Sequence, residues 1–132
     1  MAASQFTHTL GTTYKTDAGT IASVTAIYVA DSESNLDDTV AGSTTNKEFD
    51  LAITKSDVIS MIMFSNEAVT LKTNSSGSPS DTISLAANMP LVWNTDSPVA
   101  IPLAGPVTKI FATNAGVAAA ALKIRVLMKI SV

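Results

Sequence analysis

Leu122, Ile124, Val126, Met128, Ile130 and Val132 take every second position of residues 122–132, and Lys123, Arg125, Lys129 and Ser131 fill most of the gaps. Successive side chains of a strand point to opposite faces, so a period of two sustained this long sets an apolar row on a core and a basic row toward water or a partner. A helix would scatter the same residues around its circumference. At about 3.3 Å per residue the segment spans roughly 35 Å, more than the usual strand of about five or six residues. A chain carrying such a segment folds around a β scaffold.

The rest of the chain repeats that signal in shorter pieces. Phe6, His8 and Leu10 alternate with Gln5, Thr7 and Thr9, which reads as a first strand or an extended arm within residues 1–20. Residues 23–30 are rich in β-branched and aromatic side chains and read as a strand. Residues 31–46 are polar, acidic and glycine-containing, and read as a long loop. Phe49, Leu51 and Ile53 alternate with Glu48 and Asp50, whereas residues 58–65 are almost continuously apolar, as in a central strand covered on both faces. Short strands follow around Val69 and Leu71, Ile83 and Leu85, and residues 91–93, with a Gly77 and Pro79 turn between the first two. Pro98, Pro102 and Pro106 then mark a loop, and residues 107–113 form a strand that the turn Asn114, Ala115, Gly116 joins to the last one as an antiparallel hairpin. No stretch keeps a helical period. The expected fold is all-β: a two-sheet antiparallel β-sandwich, jelly-roll-like, of about eight strands, with residues 21–132 as a single domain.

A chain of 132 residues suits one such core. Its surface is short of charge, with 14% charged residues against about 25% in ordinary soluble domains. Ser and Thr, roughly a quarter of the chain, supply part of the missing polarity. The remaining apolar surface points to a homo-oligomer or a component of a larger assembly. A net charge of −3 argues against general phosphate binding, so no nucleic acid is expected as a partner. There is no cysteine, hence no disulfide. Residues 1–10 lack the basic and apolar blocks of a secretory signal, and no apolar run is long enough to cross a bilayer as a helix, so no membrane partner is expected.

Candidate chemistry is sparse. His8 is the one histidine, and no Gly-x-Ser-x-Gly elbow accompanies it, so it reads as a partly buried strand residue and no enzyme is expected. Asp31, Glu33, Asn35 and Asp37 fall at alternate positions as in the first half of an EF-hand loop, but Leu36 stands where the sharp turn needs glycine and Gly42 where a bidentate glutamate is needed. No metal site and no cofactor are assigned. Trp93 reads as a core anchor beneath the proline loop, with a sugar-stacking platform as the alternative. Lys123, Arg125 and Lys129, three of the eight basic residues, stand on one strand face. They either guard a sheet edge or form a partner-docking face, where Arg125 would pair bidentately with a carboxylate.

The stretches NLDDTV (35–40), TTNKE (44–48), NEAVTLKTNSS (66–76), ISL (83–85), PLVW (90–93) and VTKIFATN (107–114) resemble small structural proteins of tailed bacteriophages. The resemblance covers most of the chain from about residue 35 and lies in strand and turn residues, without a chemical motif. It implies a virion protein, made in the host cytoplasm, that sits on the capsid surface as a decoration or cement protein. It implies the major capsid protein as partner, and a homo-oligomer, commonly a trimer. No catalytic residue is carried over. The alternative is a carbohydrate- or receptor-binding β-sandwich module of a phage tail or neck. In either case residues 1–20 are free to act as an arm, with Phe6, His8 and Leu10 as its contacts.

Overall fold

In the computed structural model, which describes residues 5–129, ten strands follow one another and no α-helix forms. The first two are β1 (Phe6–Thr16) and β2 (Gly19–Ala30). The middle of the chain supplies β3 (Ser32–Val40), β4 (Thr44–Ile53), β5 (Val58–Ser65) and β6 (Val69–Thr73). After these come β7 (Thr82–Leu85), β8 (Leu91–Asn94), β9 (Val107–Asn114) and β10 (Ala120–Met128). A single 3₁₀ turn, Lys55–Asp57, precedes β5.

Two four-stranded antiparallel sheets make the body, in the orders β3-β10-β5-β8 and β4-β9-β6-β7. The pairings nest: β3 lies on β10, β4 on β9, β5 on β8 and β6 on β7. The second half of the body is thus laid antiparallel along the first half and the long double ribbon is rolled into two sheets, which is the jelly-roll arrangement. Period-two burial drives the closure. Leu122, Ile124 and Val126 of β10 and Met61 and Met63 of β5 are fully enclosed and face Leu71, Ile110 and Ile53 of the other sheet. Each such side chain contributes about 1.5–3 kcal/mol on leaving water. Trp93 packs against this core from β8 and donates its indole N–H to the Val99 carbonyl at 2.9 Å, beneath the proline loop as expected.

Two expectations are corrected. Residues 31–46 are not a loop: β3 and the start of β4 occupy them, joined by a tight turn in which Ser43 takes φ 58° and donates its N–H to the Gly116 carbonyl at 2.8 Å. The polar, acidic composition belongs to an edge strand whose side chains reach water, with Asp37 directly opposite Lys123 in the ladder to β10. Nor do β9 and β10 form a hairpin, since they belong to different sheets. The buried Asn114 side chain organises the crossing instead, donating from Nδ2 to the carbonyls of Val40 (3.0 Å) and Ala118 (2.8 Å) and accepting from the Gly116 N–H at 3.1 Å. Gly42 lies so close to the Val117 carbonyl that no Cβ fits between them. The first strand expected within residues 1–20 is β1. β1 pairs with β2 over its whole length, and the sandwich begins at Ser32.

The β1–β2 hairpin belongs to neither sheet. Its turn uses Gly19 at φ 122°, a conformation that a side chain would strain. Lys15 and Asp17 at this tip are the only formally charged residues of positions 9–30.

Candidate functional site

Strand register places three rows of side chains on the outer face of the β3-β10-β5-β8 sheet. The first row runs Glu33, Leu127, Ser60, Asn94; the second Asn35, Arg125, Ile62, Val92; the third Asp37, Lys123, Phe64. Lys123 and Arg125 share this face, as alternation requires. Lys129 lies beyond the end of β10, after a register shift between Leu127 and Met128, and donates its backbone N–H to the Asp57 carbonyl. Ile130, Ser131 and Val132, also part of the alternating row, lie outside the described residues.

β10 is an interior strand, so its basic residues guard no edge. Arg125 already holds partners within the chain: Nη2 donates to Asp37 Oδ2 at 2.6 Å, and Nη1 to the carbonyls of Ile124 (3.0 Å) and Leu36 (3.3 Å). The guanidinium that the sequence offers to a partner's carboxylate is thereby occupied by the neighbouring strand. Lys123, exposed beside it, lines a shallow open depression with Asp37, Asp38 and Thr39.

The first row is covered by the base of the hairpin. His8 is 5% exposed, and its ring spans from Ser60 Oγ (2.8 Å from Nδ1) to Glu33 Oε2 (2.7 Å from Nε2). A carboxylate only accepts, so Nε2 donates to Glu33, while Nδ1 meets the Ser60 hydroxyl, a group able to donate or to accept. Between Glu33 and Ser60 in the row stands Leu127, which is fully buried yet no part of the sandwich core. It is enclosed beneath the hairpin. Opposite His8 in the hairpin ladder, Tyr28 donates its hydroxyl to Asp96 Oδ2 at 2.8 Å. That hydrogen bond, then partial burial and the Asp96 charge, raise the Tyr28 pKa above 10.0.

Ser60, His8 and Glu33 make the same chain of contacts as a serine nucleophile, its base and the orienting acid, with the two ring nitrogens exchanged. The chemistry needs a hydroxyl that can reach a substrate carbonyl. Ser60 is fully enclosed, so no substrate meets Oγ while the hydroxyl is covered in this way. What the arrangement does perform is mechanical, because it ties β1 to β3 and β5 at once.

Of the three expected arm residues, His8 is the buried contact, Leu10 is half-buried on the same face of β1, and Phe6 is exposed. Asp31, Glu33, Asn35 and Asp37 do not converge on a point. Alternate residues of a strand lie about 6.6–6.8 Å apart along its axis, and no cluster of three or more His, Cys, Asp or Glu suited to a metal ion occurs among the described residues. The sequence does not single out Ser60, Leu127 or Tyr28. The available signal was Leu127, an apolar residue on the wet face of an otherwise basic row, which calls for a second cover.

Past its base the hairpin stands clear of the body. Nearly all of residues 11–25 are exposed, and both of its faces carry large apolar side chains: Tyr14 and Val24 on one, Ile27 and Val29 on the other, with Ile21 at the bulge. Ile21 is 73% exposed and Ile27 64%. The molecule therefore presents a jelly roll, a half-apolar outer face with Ile62, Phe64 and Val92, and a projecting ribbon. No family model, no curated protein and no solved structure matches this chain.

Proposed function

We propose that this chain is a structural protein of a bacteriophage virion, a decoration or cement protein that binds the major capsid protein lattice as a homotrimer and stabilises the head. The observation that carries the proposal is the apolar, nearly charge-free ribbon that projects from a jelly roll, on a chain whose segments resemble phage structural proteins. A ribbon of this kind is an assembly device, since a free two-stranded hairpin is marginal in water and gains stability when another surface covers it. Jelly rolls serve both as capsid building blocks and as lectins. The Trp93 indole N–H is engaged by Val99 and its ring is half-buried against the core, an arrangement that favours the assembly reading over a sugar platform.

The protein would bridge capsomers and oppose internal pressure by burying apolar area across their seams, at about 25 cal/mol per Å² less the cost of association. The test is to add the purified chain to expanded heads that lack it. Saturable binding at a fixed number of sites and a higher temperature of DNA release are expected. Heads that neither bind it nor gain heat resistance would remove the proposal.

A further inference from the structure

The exposed apolar residues of the ribbon are shared between its two faces. Ladder register puts Phe6, Tyr14 and Val24 on the face that carries His8, and Ile27 and Val29 on the other, with Ile21 at the bulge. The sandwich takes up the first face only at the root, where His8 is buried and Leu10 and Tyr28 are half-buried. Beyond the root both faces are exposed. A ribbon that lies flat on a surface needs one apolar face and turns polar side chains to water on the other. This one carries large apolar side chains on each.

Area points the same way. The six residues leave on the order of 600 Å² uncovered, divided about evenly between the faces. A stable interface takes roughly 800 Å² from each partner. One face alone falls far short, whereas both together, with the threonine rows and strand edges, approach it. Lipid is a poor host, because β1 and β2 pair only with each other and hydrocarbon cannot satisfy the N–H and C=O groups along their outer edges. A second copy of this chain is a poor host as well. The hollows of its sandwich beside Lys123 and beside Ile101, about 310 and 390 Å³, each take only a few side chains.

We infer that the ribbon is an insertion element: it enters a slot in a different protein and is clasped on both faces by apolar, uncharged walls. Sheet-packing distances of about 10 Å set the wall backbones roughly 20 Å apart, and residues 11–16 reach roughly 20 Å into the slot. Lys15 and Asp17, the only formal charges of positions 9–30, then stand at the tip, where a polar floor or water on the far side receives them. An ionised group further back would be stranded between apolar walls. The inference rests on the proposed function, in which the seam between capsid subunits supplies the two walls.

The chain has no cysteine, so Val24→Cys and Ile27→Cys each introduce a single reporter thiol, one on each face. Both variants are alkylated with N-ethylmaleimide, free and after addition to expanded heads that lack the protein, and the reaction is followed by the mass of this chain. Rapid alkylation is expected at both positions in the free chain, and slowing by at least about tenfold at both on heads, because a covered thiol is out of reach. Slowing at one position alone means that the ribbon lies flat on a surface, which overturns the inference and leaves the proposed function standing. Slowing at both before heads are added means that copies of this chain clasp one another, which also overturns it. Val24→Lys and Ile27→Lys, each alone, should lower affinity for heads by at least about tenfold while the unfolding midpoint stays unchanged, since both side chains are exposed in the free chain. A lysine variant that binds as wild type does removes its face from the contact and overturns the inference. Heads that do not bind the wild-type chain remove the proposed function and this inference with it.

Discussion

His8 on β1 and Glu33 on β3 are joined by a 2.7 Å hydrogen bond across 25 residues of chain, and with Ser60 on the other side of the ring this contact fixes the ribbon to the sandwich. Replacing His8 by Phe keeps an aromatic ring but leaves the Ser60 hydroxyl and the Glu33 carboxylate without their partner. A loss of about 1–3 kcal/mol is expected in urea unfolding. Glu33→Gln retains an acceptor for Nε2–H and should lose less; equal losses in the two variants would contradict this account.

Leu127→Ala tests the cover beneath the ribbon. The deletion opens space outside the sandwich core, at an expected cost of about 2–3 kcal/mol, near the lower end for buried leucine because the ribbon can settle inward. Hydrogen exchange should quicken in β1 and β2 while peptides from β4, β6 and β9 keep their protection. Uniform loss of protection would mean that Leu127 belongs to the common core.

Asn114→Ala removes two donors and one acceptor from a side chain that is 1% exposed. It should destabilise the fold by about 2–4 kcal/mol, by leaving the Val40 and Ala118 carbonyls unanswered at the crossing between sheets. Asn114→Asp, which cannot donate and buries a charge, should be no better. A thermal unfolding midpoint within a degree of wild type would refute the role.

Alkaline pH acts on two contacts with the same sign. The Tyr28 pKa is raised above 10.0 by the hydrogen bond to Asp96, and the Lys109 pKa above 10.5 by the hydrogen bond to Glu48, the Glu48 charge and the Asp50 charge. In both groups the folded state favours the protonated form. Their contributions are complete below about pH 10, the unfolded value for tyrosine, and are lost as pH climbs through the raised folded values. Phenolate absorbance in a Tyr14→Phe background should therefore titrate later than 10.0, and Asp96→Asn should move it back down. An unchanged titration in Asp96→Asn would rule out the contact.

The fold was legible wherever one face of a strand meets the core. Phe49, Leu51 and Ile53, and Leu122, Ile124 and Val126, alternate because water lies on their other side. Signals failed where that condition fails. β3 is an edge strand with polar side chains on both faces, and Asp37 owes its place to Lys123 and Arg125 far along the chain. The turn after β9 has hairpin residues, yet Asn114 spends its side chain on Val40 of the opposite sheet, so the local pattern named the wrong partner. The apolar run 58–65 reads as covered on both faces, yet the ribbon covers only Ser60 of its outer residues, and Ile62 and Phe64 stay half-exposed. On the outer face of the β3-β10-β5-β8 sheet, the basic pair is visible in the sequence and the carboxylate that Arg125 holds, Asp37, is not.

The nested pairing also sets an order of events during synthesis. β3 emerges early, but the strand it pairs with is β10, about eighty residues later, which at roughly 5–20 residues per second is a wait on the order of ten seconds. The first hairpin pairs within itself and can close within about 1–10 μs of leaving the ribosome, although alone it is marginal in water. On a polysome, then, each nascent chain pairs its ribbon first, and the ribbon gains its anchor only when β3 and β5 supply Glu33 and Ser60.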